Sequence, residues 1–152
     1  MTYAPPSSTA HFTDVSSSNF AFNYIQKMNE LGVTAGCTST TYCPDAAVTN
    51  GAMAIFAVRA RQLIDGFCST NCVNNSFTNY SSMAAFSDVS SSDAEFKWVQ
   101  KVSTASNGLS IVSNLIANPG CSTVGAFCKD ANAQRAQVAF YVIRGLIGDM
   151  NN

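Results

Sequence analysis

From Phe20 onward, Phe20, Tyr24, Ile25, Met28 and Leu31 recur three and four positions apart, the interval that gathers side chains on one helix face, and Gly32 ends the run. A second periodic stretch places Met53, Phe56, Ala57, Ala60 and Leu63 or Ile64 on one stripe, with Thr49 positioned to cap its first turn. Between them, residues 36–45 are small, polar and punctuated by Pro44, the composition of an exposed loop. The chain therefore opens as helix, loop, helix. Ahead of the first stripe, Ser16-Ser17-Ser18-Asn19 offers oxygens to cap orphan amides, and Asp14 and Asp88 fit the same local capping role.

The order then returns. FTDVSSSNFAFNYIQKM from Phe12 aligns with FSDVSSSDAEFKWVQKV from Phe86, and YCPDAAVTNGAMAIFAVRA from Tyr42 aligns with FCKDANAQRAQVAFYVIRG from Phe127. The second copy is longer between its halves. In that excess Leu109, Val112, Leu115 and Ile116 keep helical intervals up to Pro119, predicting an added or lengthened helix. The final stripe runs through Val138, Tyr141, Val142 and Leu146. Residues 65–85 are rich in Asn, Ser and Thr without a sustained period and read as a connector. The expected architecture is all-α: a single domain spanning 1–152, with helix-loop-helix repeats at about 12–64 and 86–150 packed as a helical bundle.

Six cysteines change the picture of the loops. They form three close pairs, Cys37 with Cys43, Cys68 with Cys72 and Cys121 with Cys128. Fifteen pairings are formally open to six cysteines, and loop-local disulfides are the expectation, which implies an oxidising compartment. Zinc fits poorly, because the two-residue spacing of paired thiolate ligands is missing and the lone histidine, His11, lies in a Pro/Ser-rich leader. MTYAPPSSTAHF has neither the basic start nor the apolar core of a signal peptide, so an exported form would carry its signal in a longer chain.

Charge excludes further classes. Eight Lys and Arg against nine Asp and Glu, with no basic run, leave little to neutralise a nucleic-acid backbone. Arg59 and Arg144 interrupt the longest apolar stretches, so no membrane span is expected. No nucleophile elbow, phosphate loop or acid/base carboxylate pair stands out, so the chain does not read as an enzyme and implies no cofactor.

The ordered set F-x-D-V, an aromatic-rich helix ending in ELGVTAGC, then YCPDAAVT before MAIF, resembles the S-layer homology motif, in a cysteine-bearing bacterial variant. The resemblance is good over Phe12 to Leu63 and looser over Phe86 to Met150. It implies helices contributed to a central bundle, with loops projecting as prongs, usually from three motifs. It further implies non-catalytic anchoring at the bacterial cell envelope through anionic cell-wall polysaccharide, with an arginine in a Thr-Arg-Ala-Glu signature as principal ligand. Here the first copy has Thr49-Asn50-Gly51-Ala52 and the second has Gln134-Arg135-Ala136-Gln137. The expected binding residues are thus Arg135, with Gln134 and Gln137 beside it, and Trp98 as a ring that could stack on sugar, although its helical spacing suits core packing better. Loss of arginine from the first copy and the low charge favour an alternative: a structural module that associates with itself in a surface layer or extracellular filament.

Overall fold

The computed structural model describes residues 7–64, 77–78, 80–103 and 121–133. It is mostly helical: α1 spans Phe22–Glu30, α2 Asn50–Ile64 and α3 Phe96–Val102. Among the described residues there is no strand; an isolated bridge pairs Thr49 with Asn132. The helix expected up to Pro119, the stripe through Val138 and Leu146, and the Cys68/Cys72 pair lie outside the described residues.

Contacts divide the chain into two units. Of the described residues, the first holds those up to Ala46 together with Gln62–Ile64, and the second holds Ala47–Arg61 and those from Phe77 onward.

In the first unit, Phe12, Val15, Phe22 and Ile25 form a small core completed by Ala21 and Tyr42. The buried face of α1 is Phe22, Ile25 and Gln26, spaced three and four apart. This corrects the sequence stripe: Phe20 is 94% exposed and Tyr24 73% exposed. Phe20 precedes the first helical residue, and the face set by Phe22 turns Tyr24 to solvent. The Ser/Asn stretch also behaves differently from expectation, since α1 has no side-chain cap. Ser16 Oγ accepts from the Ser18 amide at 3.2 Å and Asn19 Oδ1 from the Ala21 amide at 2.8 Å, folding the chain into turns that lead into the helix. The far end follows the sequence: Gly32 N–H donates to Asn29 O and Val33 N–H to Met28 O, both at 2.8 Å, satisfying carbonyls of the last turn.

In the second unit, α2 and α3 share one core. Met53, Ala54, Ala57 and Val58 join Phe96, Trp98, Val99 and Val102, with Phe86, Val89 and Phe127 beneath. Thr49 caps α2 as expected, its Oγ1 accepting from the Ala52 amide at 3.2 Å. The buried side of α2 is displaced slightly from the predicted stripe: Ala54 and Val58 are buried, while Phe56 and Ala60 are half-buried.

Each unit also buries a glutamine. Gln26 accepts from the His11 amide at 3.1 Å and donates to Thr9 O at 2.6 Å; Gln100 accepts from the Ala85 amide at 2.9 Å and donates to Ser81 O at 3.0 Å. These amides tie the approaching chain to the helix it precedes, so burial of a polar group leaves no partner missing.

Candidate functional site

Two stapled loops dominate the geometry. Cys37 is bonded to Cys43 and Cys121 to Cys128, with Cα atoms 6.1 and 5.7 Å apart. Closing so short a loop restricts the unfolded chain by about 2 kcal/mol in chain-entropy terms. Behind each loop lies an aspartate. Asp14 accepts from the Tyr42 and Cys43 amides at 2.8 and 2.7 Å, and Asp88 from the Phe127 and Cys128 amides at 2.7 and 2.6 Å. The capping role assigned to both from sequence was local; the structure makes them long-range clamps on loops 28 to 40 residues away. Each clamp serves a backbone turn in which Cys43 (φ 58°) or Cys128 (φ 55°) occupies the left-handed region, a conformation costing a side-chain-bearing residue roughly 1–2 kcal/mol. The turns that follow, through Asp45 and Asp130, close with Ala46 N–H donating to Cys43 O and Ala131 N–H to Cys128 O, both at 3.0 Å.

Gly36 sits at φ +80° at the base of the first loop. A Cβ there would lie 2.6 Å from both Phe12 Cε1 and Thr38 O, so only glycine lets the loop fold down on the Phe12 ring.

The Tyr42 amide, the strongest influence, and the Cys43 amide hold the Asp14 carboxyl below its ordinary 3.8, outweighing partial desolvation. A folded value below the unfolded one means that the clamp contributes above about pH 4 and is lost as pH falls through the lowered value. Hydrogen exchange of the Tyr42 and Cys43 amides, corrected for intrinsic rates, should therefore accelerate on acidification below pH 4. Asp14→Asn should show the faster exchange already at neutral pH. An acid step undiminished in the variant would assign the transition to another group.

The loop after Cys128 runs onto the start of α2. Asn50 N–H donates to Ala131 O and Gly51 N–H to Lys129 O, both at 2.9 Å, while Asn50 Nδ2 donates to Cys128 O at 3.0 Å. Together with the Thr49 cap, these bonds satisfy the first three α2 amides, so this helix end has no free donors for an anion. Gly51 permits the approach, because a Cβ would meet Glu95 Cγ at 2.9 Å and Lys129 O at 3.3 Å. Asn50, which stands where the resembling motif has arginine, is fully buried and serves this joint.

Of the eight Lys and Arg, the six among the described residues have partners. Lys27 pairs with Glu30 at 2.9 Å; Lys129 pairs with Asp130 at 2.8 Å and approaches Asp93 at 3.9 Å. Asp130 chiefly, with Asp93 and Glu95, raises the Lys129 pKa against the opposing effect of desolvation. Arg59 and Lys97 lie 4.9 and 4.8 Å from the Trp98 ring centroid. Arg61 and Lys101 are also engaged.

An open groove of about 710 Å³ in the second unit is lined by Ser87, Asp88, Ser90, Asp93 and Lys129, and one of about 490 Å³ in the first by His11, Asn29, Glu30, Thr34 and Ser39. In the former, acidic groups outnumber the single lysine, an unfavourable lining for a polyanion.

Trp98 is 4% exposed, with Phe77 edge-on at 5.1 Å and two cations over the ring, so it packs in the core and offers no face to a sugar. Arg135, Gln134 and Gln137 lie outside the described residues. The sequence reading missed Gln26 and Gln100, although their shared place in YIQKM and WVQKV, on an otherwise apolar stretch, is a signal. Among the described residues no group of three His, Cys, Asp or Glu gathers to hold a metal, and no helix is long and apolar enough to cross a membrane.

Short helices and aspartate-clamped, disulfide-stapled loops make up both units among the described residues. Residues 11–54 match the S-layer homology domain, and the chain carries that domain there. The match takes in the Asp14 clamp, the first stapled loop and the start of α2. Such domains are non-catalytic anchoring modules that bind cell-wall polysaccharide, which places this one at the bacterial cell surface. No curated protein and no solved structure matches the chain.

Proposed function

We propose that the protein is a two-motif anchoring domain, with motifs at about 12–64 and 86–150 joined by a connector, that holds anionic cell-wall polysaccharide through Arg135. The observation carrying this reading is the engagement of the six cations among the described residues together with the burial of Asn50. The first motif has spent its ligand position on an internal joint, whereas the second keeps arginine in the equivalent place. The reading is supported by the recurrence of clamp, staple and turn at equivalent positions ahead of both segments. A guanidinium there binds a carboxylate with two parallel charge-assisted bonds, and Gln134 and Gln137 supply neutral donors beside it.

Arg135→Ala should weaken binding to purified wall polymer roughly 10- to 100-fold, the range of a lost charge-assisted contact, with the melting curve unchanged. Added salt should weaken the parent's binding as well. Retention of the variant as tight as the parent's would remove Arg135 from the site. A second reading, a structural module that associates with copies of itself, is favoured by the exposure of Phe20 and Tyr24.

A further inference from the structure

We infer that the Cys37–Cys43 staple is a site of thiol–disulfide exchange, which low-molecular-weight thiols open while the Cys121–Cys128 staple stays closed, and that its opening releases the loop from Asp14.

The two staples share one plan, but their cysteines meet solvent differently. Cys37 is exposed at the head of the exposed run Thr38-Ser39-Thr40, and Cys43 is half-buried. Cys121 is 6% exposed, and its partner Cys128 follows Ala126 and Phe127, both buried. An attacking thiolate must reach one sulfur along the bond that breaks, so exchange at an exposed cysteine proceeds from the native fold, whereas a buried one waits for local opening. Opening the second loop also disturbs α2, because Cys128 O accepts from Asn50 Nδ2, and Lys129 O and Ala131 O accept from the Gly51 and Asn50 amides.

The surroundings of the sulfurs add to the difference. Cys37 Sγ lies 3.2 Å from the Thr41 hydroxyl, which donates to it, and 3.4 Å from the Thr41 carbonyl, while Cys121 Sγ lies 3.8 Å from the Thr123 carbonyl. A hydroxyl donor stabilises the thiolate that exchange generates, and a carbonyl does not.

The reaction takes two small thiols. The thiolate of the first attacks Cys37 Sγ; a mixed disulfide forms, the bond to Cys43 breaks, and Cys43 leaves as a thiolate that takes up a proton. The second attacks the small molecule's own sulfur, and Cys37 leaves as the thiolate that Thr41 solvates. Two small thiols are thereby oxidised to their disulfide and two cysteines are reduced. Cys43 sits at φ 58°, held through its side chain by the staple and through its amide by Asp14. Once the staple opens, the strain of the left-handed backbone acts against the clamp alone, and the Tyr42 and Cys43 amides come free. Cys128 has the same geometry but keeps the bonds to α2.

Timed reduction of the full chain with excess reduced glutathione, quenched by iodoacetamide and read by mass spectrometry, tests this. Cleavage after Lys and Arg puts each close pair of cysteines on its own peptide. Label should reach the Cys37/Cys43 peptide about 10-fold or more faster than the Cys121/Cys128 peptide, the ratio that a modest requirement for local opening imposes. Thr41→Val should lengthen the life of the glutathione adduct on Cys37 and leave the Cys121/Cys128 rate unchanged. In the partly reduced protein, hydrogen exchange should quicken at the Tyr42 and Cys43 amides and not at Phe127 and Cys128. Equal labelling of the two peptides, or earlier labelling of the second, would overturn the selectivity. Tyr42 and Cys43 amides that stay protected after reduction would overturn the link to Asp14, and an adduct on Cys43 in place of Cys37 would overturn the point of attack.

Discussion

Asn50→Arg, the change that restores the motif's arginine to the first copy, is expected to unfold the second unit rather than add a binding site. Asn50 is fully buried, its side chain donates to Cys128 O, and its backbone amide donates to Ala131 O. An arginine must either push the 128–131 loop away from α2 or leave a charge buried without a counterion. Overpacking alone costs about 1–3 kcal/mol and an uncompensated charge adds several more, so a loss above about 4 kcal/mol is expected. Trp98 is the only tryptophan and sits in the same core, so its fluorescence reads the unfolding midpoint of this unit directly. A variant that melts like the parent and binds wall polymer more tightly would mean that the start of α2 is an open ligand site.

The sequence carried the local chemistry of the fold more clearly than its long-range contacts. Thr49 at the start of α2 and Gly32 at the end of α1 are legible because capping depends on neighbours within one helical turn. The Cys37–Cys43 and Cys121–Cys128 staples were legible for the same reason, their partners being six and seven residues apart. Asp14 and Asp88 were misread because their acceptor geometry is set by loops far along the chain, and a carboxylate ahead of a serine run looks the same whether it bonds locally or at a distance. Periodicity gave α1 correctly as a helix but could not choose between two apolar sides, one carrying Ile25 and the other Tyr24. Tertiary context decided it: the Phe12 ring buries the first. The resemblance located the ligand position at Asn50, but its burial depends on a loop that arrives from 78 residues away.

The equivalent aromatic pairs differ in depth, and this leads to the second large effect. Phe86 and Phe127 are both buried, ring centroids 5.1 Å apart, whereas Phe12 is buried against a Tyr42 that is half-buried at 5.5 Å. Phe127→Ala should cost about 3–5 kcal/mol, the usual loss for a large aromatic removed from a closed core, while Tyr42→Ala should cost markedly less because solvent already reaches its ring. The Phe127 effect should also spread. Its backbone amide is clamped by Asp88 and the carbonyls that follow hold the Asn50 and Gly51 amides, so loosening this residue frees both the stapled loop and the first turn of α2. Equilibrium denaturation followed by Trp98 fluorescence should show an earlier midpoint for Phe127→Ala, and hydrogen exchange should show the Asn50 and Gly51 amides losing protection in the same variant. A midpoint for Phe127→Ala equal to the parent's would mean that the Phe86–Phe127 contact contributes little, and that the joint between loop and helix is held by its hydrogen bonds alone.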